Sequence, residues 1–228
     1  GFSVVITDAS GASVTSNVAY LTVAGAVDPA FDPRGGPDGE ITDVISLIDG
    51  GLMVAGDFDR FAGVPRNRLV RLLKTGAVDT AFDPAGGPNG PVRAMLELTD
   101  NRYLIVGQFD TYDGQVVPGV VRIDSKGRLD PTFNADLPLP FIGRESEIPA
   151  LERFQYAVIA LRGGGYLLGG KLGLVALNTS GANLPESVFR TVGGVFSLVQ
   201  QYDGGIVAGG DFTLMSGFVR ARMARLSP

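Results

Sequence analysis

One apolar segment occurs four times along this 228-residue chain, and each copy ends in glycine followed two positions later by a bulky side chain. The copies read GGLMVAGDF (50–58), NRYLIVGQF (101–109), GGYLLGGKL (164–172) and GGIVAGGDF (204–212). A second motif, GAVDPAFDPRGGPDG (25–39), returns 51 residues later as GAVDTAFDPAGGPNG (76–90), then as GRLDPTF (127–133) and the diverged GANLPESVF (181–189). A period of about 50 residues indicates a repeat architecture, in which neighbouring units bury each other's apolar faces.

Each repeat contains four short extended segments, which in the first repeat fall at 41–48, 52–58, 68–74 and 77–82. Alternating apolar and polar residues in VRAMLEL (92–98) are typical of a half-buried strand, and the apolar runs LMVA and YLIV of a strand covered on both faces. Asp-Gly-Gly at 49–51 and 203–205 predicts tight hairpins. Four strands in a unit of this length predict an all-β fold, a β-propeller of four-stranded antiparallel blades. The four repeats are assigned to residues 25–75, 76–126, 127–180 and 181–228.

The repeated glycines and aromatics are expected to pack neighbouring blades together. Glycine at 56, 107, 170 and 210 permits close approach of backbones or rings, and phenylalanine at 58, 109 and 212 wedges between blades, with Leu172 as the exception. The last repeat ends at Leu226 without a fourth segment, whereas residues 26–31 form a spare one before the first repeat. Pairing of these two ends would close a four-blade ring without free edges. The alternative is an open four-blade arc of a larger ring.

Composition excludes several classes of function. The chain has no histidine, cysteine or tryptophan, which removes Ser-His-Asp triads, thiol nucleophiles, the usual zinc sites and haem ligation by His or Cys. A net charge of −5 disfavours nucleic acid as a partner. The sequence has no apolar run of the roughly 18 residues needed for membrane insertion. Absence of cysteine is compatible with bacterial secretion and with the cytosol alike.

Residues 25–226 resemble the bacterial delta-60 repeat family. The resemblance rests on D..FDP.GGPNG.V, DGG..VAGDF and RN.L.RL, which the first two repeats and the last carry well, whereas the third has Lys171 for the acidic residue and lacks the RN segment. The resemblance implies a β-propeller within a large secreted or cell-surface bacterial protein, often beside immunoglobulin-like domains. It implies no catalytic residues.

The first 23 residues look like the last two strands of a bacterial immunoglobulin-like (Ig-like) domain. An alternating strand (2–7), a polar turn (8–11) and a final strand (16–23) carry this resemblance. Residues 1–24 are therefore predicted to be a remnant β-hairpin, and the chain a piece of a longer protein. A lone hairpin cannot bury both of its faces, so it is expected to be mobile or docked on a neighbour.

A functional face is predicted where the long connections emerge. Connections between the second and third strands, and from the fourth strand to the next blade, all leave the sheets on one face, which we call the long-loop face. The third repeat differs there, with an insertion at about 134–155 and a shortened connection after Leu172. The insertion is interpreted either as a structural plug or as a lid or binding loop. Candidate binding residues on this face are Phe61, Tyr112, Phe141, Arg144 and Phe218.

Charged residues on the same face suggest further, weaker hypotheses. Short Asp-rich loops supply oxygen ligands of the kind that calcium prefers, but their spacing matches no EF-hand and aspartate is also a common turn residue. The calcium candidates are Asp57, Asp59, Asp110, Asp113 and Asp211; no other cofactor is expected. Arginines at 71, 122 and 225 occupy equivalent positions and are expected to pair with acids of the repeats. The glycine-rich motifs lack the Lys-Ser/Thr of a phosphate-binding loop.

Three functions remain open from the sequence. The leading hypothesis is a non-catalytic interaction module of a secreted or cell-surface protein, which binds protein or carbohydrate at the long-loop face. An alternative is a propeller enzyme that acts on a carbohydrate or other polar substrate through carboxylates on the long-loop face, for which Glu145, Glu147 and Glu152 are the candidates. The third is a spacer in an adhesin-like stalk. A homo-oligomer that completes the ring is a possible assembly.

Overall fold

The computed structural model describes residues 5–7, 13–15, 27–137, 155–171, 173–184 and 188–227. These residues form strands and turns, which confirms the all-β class, and none of them lies in a helix able to cross a membrane. The chain divides into two compact units, Gly1–Phe31 and Asp32–Pro228.

The first unit contains a two-stranded antiparallel hairpin. Its strands are β1 (Val5–Thr7) and β2 (Ser13–Thr15), and Thr7 pairs with Ser13. Residues 16–23, the expected partner strand, lie outside the described residues; the strand that pairs with 5–7 is instead 13–15.

Four antiparallel sheets follow one another along the second unit, one from each repeat; three of them have three strands, and the sheet of the third repeat is extended by further strands described below. In every sheet the second strand in sequence lies in the middle, and β9 and β14 are buried along their whole length, as the apolar runs predicted. Sheet 1 contains β3 (Glu40–Ser46), β4 (Leu52–Asp57) and β7 (Leu69–Leu72), and sheet 2 contains β8 (Val92–Glu97), β9 (Tyr103–Gly107) and β12 (Val120–Ile123). Sheet 3 contains β13 (Gln155–Ala160), β14 (Tyr166–Gly170) and β15 (Gly173–Leu177), and sheet 4 contains β17 (Val195–Gln200), β18 (Ile206–Gly210) and β21 (Met223–Leu226).

The fourth segment of each repeat is shorter than the strand that the sequence predicted. It makes a single β-bridge to the third strand, at Val78, Leu129 and Asn183 in the first three repeats. Immediately afterwards Asp79 and Asp130 each accept, at 2.9 Å, the backbone N–H of the residue two places later. An aspartate that closes a turn on its own backbone competes with strand pairing. The described blades therefore contain three strands and a bridged segment, not four strands.

Small hairpins occupy the long connections between the second and third strands. They are β5 (Arg60–Phe61) with β6 (Val64–Pro65), β10 (Thr111–Tyr112) with β11 (Gln115–Val116), and β19 (Leu214–Met215) with β20 (Phe218–Val219). Both turn residues of each hairpin have positive φ, 49° at Ala62 and 76° at Gly63 in the first, as type I′ turns require. The prolines of the GGPDG and GGPNG motifs bridge to these hairpins, which explains why the motif recurs.

The third repeat departs from this pattern, as its short connection predicted. Its third strand, β15, follows the second almost directly, and β16 (Phe189–Val192) pairs with β15 at Gly173 and Leu174. The same β16 pairs with β19 on its other edge. Through β16, sheet 3 is thus continuous with the small hairpin β19–β20 of the last repeat, which is a separate sheet from sheet 4. Residues 138–154, most of the predicted insertion, lie outside the described residues.

Apolar side chains pack the four sheets face to face in chain order. One core cluster joins sheets 1 and 2 and contains Met53, Leu69, Ile105 and the ring of Phe109. A second joins sheets 2 and 3, and a third joins sheets 3 and 4 and contains Phe212. Burial of Phe109 and Phe212 in these clusters agrees with the predicted wedging of aromatics between blades.

The face of sheet 4 directed away from sheet 3 is apolar and uncovered by any further sheet of the described second unit. Met223 is 66% exposed, whereas its counterparts Leu69, Val120 and Leu174 are at most 1% exposed. Pairing of residues 26–31 with the last sheet would join the two units, and it stays a prediction, as does the number of blades in the ring.

The repeated glycines have a specific structural cause. The first strand of every sheet contains a β-bulge, and a glycine of the middle strand lies opposite its start. A Cβ built on Gly56, Gly107 or Gly210 would lie 1.9 to 2.3 Å from the backbone carbonyl oxygen of a residue at, or immediately before, the beginning of the first strand. Only a residue without a side chain permits this approach.

We predict that Gly107→Ala destabilises the fold by about 2 kcal/mol or more, because the new methyl group collides with the carbonyl oxygen of Pro91, which cannot rotate away. Urea unfolding followed by circular dichroism measures the loss. Gly163→Ala is the matched control, since a Cβ there meets no atom within 4 Å. Equal stability of the two variants would contradict this role for the glycine.

A buried ion pair links the third strand to the bridged segment. In sheet 2 the Arg122 Nε donates to Asp130 Oδ2 at 2.7 Å, and Arg122 is only 5% exposed. Arg71 pairs with Asp79, also at 2.7 Å, and Arg225 with Asp203 at 2.6 Å, so the predicted pairing of the repeated arginines is confirmed. Burial raises the pKa of Asp130, but hydrogen bonds from Thr132, Arg102 and Arg122 outweigh it and hold that pKa well below its usual value.

The third repeat dispenses with this ion pair. Its backbone makes the same hydrogen bond, from Leu184 N to Ala176 O at 2.9 Å, as Asp130 N makes to Arg122 O. Alanine and leucine therefore occupy the positions of the arginine and aspartate. Apolar pairs often replace a buried ion pair without loss of stability, whereas removal of one partner leaves an uncompensated charge.

We predict that Asp130→Leu destabilises the protein by about 3 to 5 kcal/mol, and that Arg122→Ala added to it recovers much of the loss. Because the folded-state pKa of Asp130 is depressed, the pair contributes stability above the unfolded pKa of about 3.9 and loses it as pH falls further. When the pH is lowered below about 4, the double variant should therefore lose less stability than the wild type. Thermal unfolding as a function of pH measures this difference. Strictly additive single effects would contradict this coupling.

Candidate functional site

The four β-bulges direct one residue from each sheet into a common cavity. The extra residue of each bulge stands between Ile41 and Asp43, Val92 and Ala94, Gln155 and Ala157, or Val195 and Ser197. These bulge residues are Thr42, Arg93, Tyr156 and Phe196. All four line an open cavity of about 490 Å³, together with Glu40 and Ile41. A bulge re-aims a side chain out of the strand alternation, and we call this space the bulge cavity.

The bulge cavity lies at the end of the sheets where sequence analysis expected function. Each bulge is at the beginning of a first strand and opposite the end of a middle strand. Long connections enter the first strands and leave the middle strands at that same end. The bulge cavity therefore opens among the long connections, and its volume is in the range of roughly 300 to 1,000 Å³ that is usual for ligand pockets.

A chain of hydrogen bonds fixes the polar groups of the bulge cavity. Arg93 donates from Nε to Gln108 Oε1 at 3.0 Å, and its Nη2 donates to the same oxygen. This leaves the Gln108 amide nitrogen to donate to Tyr156 Oη at 3.2 Å. Since that oxygen accepts from Gln108, the Tyr156 hydroxyl retains its own hydrogen for donation.

Arg93 is not paired with any acid among the described residues, in contrast to the repeated arginines of the third strands. The Arg93 Nη1 group makes no hydrogen bond to the described residues. Its N–H donors are therefore available to another partner. Glu40, exposed on the cavity wall, is the single carboxylate among the described lining residues, and it is farther than an ion-pair distance from Arg93. The bulge cavity thus offers one positive and one negative group that do not neutralise each other directly.

Two aromatic rings form the apolar wall of the bulge cavity. Tyr156 and Phe196 meet edge to face, with ring centroids 5.3 Å apart, and Phe196 remains 46% exposed. Thr42 has a structural role, because its hydroxyl donates to the carbonyl oxygen of Val92 in the next sheet. It offers a ligand its methyl group and oxygen but no free hydrogen.

Three of the binding-face candidates chosen from the sequence, Phe61, Tyr112 and Phe218, are not among the residues that line the bulge cavity. Phe61 and Tyr112 point inward from their hairpins and are 2% and 0% exposed, so they offer no surface to a ligand. Phe218 is two-thirds exposed on β20, where the Arg220 guanidinium lies over its ring. Phe141 and Arg144 lie outside the described residues, as do Glu145, Glu147 and Glu152.

The five calcium candidates act singly in the part of the chain that the structure describes. Asp57 and Asp59 face Arg68, Asp110 accepts from Asn89, and Asp113 and Asp211 accept backbone N–H groups. No three acidic side chains there come together where they could hold a metal ion. These aspartates organise the loops through hydrogen bonds, as turn residues commonly do.

The bulge residues can be recognised in the sequence only when the four repeats are aligned on their first strands. Position for position, the aligned strands read ITDV, VRAM, QYAV and VFSL, so the second letter is Thr, Arg, Tyr or Phe. The fourth letter is always apolar. The residue type at this position differs between repeats that otherwise fold alike. The repeated fold therefore does not fix which side chain stands there.

Comparison with known proteins supports a propeller-like fold. The family described as "Domain of unknown function (DUF5122) beta-propeller" matches three segments, residues 49–82, 98–133 and 201–228, which begin in the first, second and last repeats. No curated protein matches the chain significantly. Among solved structures, a gluconolactonase from Xanthomonas campestris aligns at 14% identity with a TM-score of 0.50, over 90% of this chain and 61% of its own.

A second solved structure, the extracellular domain of a hybrid two-component system from B. thetaiotaomicron, aligns at 15% identity with a TM-score of 0.48. It covers 77% of this chain, which corresponds to only 20% of that protein. The chain thus spans about three-fifths of the length of the gluconolactonase and a fifth of the length of the extracellular domain. The family match and the antiparallel sheets together identify the second unit as a set of propeller-like repeats.

Proposed function

We propose that the chain is a non-catalytic binding module of a secreted or cell-surface bacterial protein, and that it binds its partner at the bulge cavity on the long-loop face. The observation that carries the proposal is the pair of Arg93 and Phe196, a cation without an acidic partner beside a half-exposed aromatic ring. Binding sites typically combine a few oriented polar groups with an apolar wall.

The composition of the bulge cavity favours binding over hydrolysis. A glycosidase requires two carboxylates about 5 to 10 Å apart on either side of the reacting bond, whereas Glu40 is the single carboxylate in the part of the cavity wall that the structure describes. A pure spacer has no reason to expose an aromatic ring and a cation in one cavity. Secretion is supported by the resemblance to delta-60 repeats, and the hairpin β1–β2 is in keeping with the remnant of an Ig-like domain.

The test is an immobilised panel of neutral and acidic oligosaccharides, probed with the intact chain, with chromatography of the free sugars after incubation. We predict saturable binding without products, and a loss of binding in Phe196→Ala because the apolar wall is removed. Tyr202→Ala is the matched control, since Tyr202 is 92% exposed and does not line the bulge cavity. Released products would show an enzyme, and binding that survives Phe196→Ala would place the site elsewhere.

A further inference from the structure

The chemistry of the bulge cavity restricts its ligand further, on the basis of the proposed function. We infer that the bulge cavity binds a uronic acid residue of an acidic oligosaccharide, with the sugar carboxylate on Arg93 and the apolar face of the ring on Phe196.

Arg93 is prepared to bind a carboxylate. Two of its nitrogens are held by Gln108 Oε1, which fixes the plane of the guanidinium, and Nη1 keeps its donors unused. A planar, pre-oriented guanidinium matches the two oxygens of a carboxylate, and little side-chain entropy remains to be lost on binding. The chain as a whole has a net charge of −5, so attraction of an anion to this cavity is local to Arg93.

The second polar group argues for a hydroxylated ligand. Tyr156 Oη accepts from Gln108 at 3.2 Å, so its hydrogen is free to donate to a neutral oxygen of the ligand. Glu40 carries an acceptor on the same cavity wall and is suited to a sugar hydroxyl, which donates. A uronic acid carries one carboxylate and several hydroxyl groups, and therefore matches one cation, one donor and one acceptor.

The charge balance of the bulge cavity disfavours a phosphate. A phosphate monoester has close to two negative charges at neutral pH, and Glu40 would repel it while Arg93 supplies a single compensating charge. A carboxylate has one charge and is directed by the planar guanidinium. The aromatic wall adds a requirement for an apolar surface, which the C–H face of a sugar ring provides and a free inorganic anion does not.

The experiment compares trigalacturonic acid with its fully methyl-esterified form by isothermal titration calorimetry on the intact chain. The ester keeps the hydroxyl groups and ring faces but removes the charge. We predict that the acid binds about tenfold or more tightly than the ester, because a charge-assisted pair is lost with esterification. Arg93→Gln should abolish this difference.

Arg128→Gln is the matched control, because it removes one positive charge from a side chain 68% exposed outside the bulge cavity. It should retain the tenfold preference, and thermal unfolding verifies that both variants remain folded. Phe196→Ala should weaken acid and ester alike. Inorganic phosphate is added as a competitor and should displace the acid only at much higher concentration.

Equal affinity for acid and ester would overturn the inference and leave the proposed binding function standing. Unchanged acid binding in Arg93→Gln, or displacement by phosphate at concentrations below that of the acid, would overturn it as well. Absence of binding to both forms would overturn it too, and the oligosaccharide panel then decides separately whether the bulge cavity binds any sugar.

Discussion

The structure depends on a contact between two backbones, a glycine of the middle strand against a carbonyl group at, or immediately before, the beginning of the first strand. At Gly56, Gly107 and Gly210 this contact leaves no room for a Cβ atom. The close approach stands opposite the start of each bulge, where one residue leaves the alternation of the strand. A bulge turns its extra side chain out of the hydrogen-bonded ladder. The glycine that permits the close contact between the two strands therefore lies next to the residue that lines the cavity.

The charged residues of the repeats serve two separate purposes. Arg122 and Asp130 form a buried pair within the frame, and the third repeat replaces such a pair by Ala176 and Leu184 with the same backbone hydrogen bond. Either an ion pair or an apolar pair can therefore stand where the third strand meets the bridged segment, and the backbone hydrogen bond is the same in both cases. Arg93 has no such acidic partner among the described residues, which is why it, and not the repeated arginines, suggests a ligand.

The hairpins at Asp-Gly-Gly and the buried middle strands β9 and β14 could be predicted from the sequence, because each depends on local periodicity and turn chemistry. The fourth strand could not, since a single carboxylate, Asp79 or Asp130, ends it by bonding its own backbone. Phe61 and Tyr112 are binding candidates by their place in long connections, but the type I′ hairpins bury both rings, and no sequence pattern states which way a hairpin turns its side chains. The bulge cavity was missed because bulges shift register, and the sequence does not state which residue is the extra one.

The bulge positions are also the places where this fold changes most easily. A residue in the regular part of a middle strand, such as Ile105, touches neighbours on two sheets, and a change of its volume disturbs their packing. A bulge residue faces the cavity instead, and the chain shows the consequence in its own repeats, with threonine, arginine, tyrosine and phenylalanine at one aligned position. The hydrogen-bonded ladder and the opposing glycine, not the bulge side chain, determine the backbone conformation at the bulge. The ligand specificity of the cavity can therefore change while the sheets around it keep their structure.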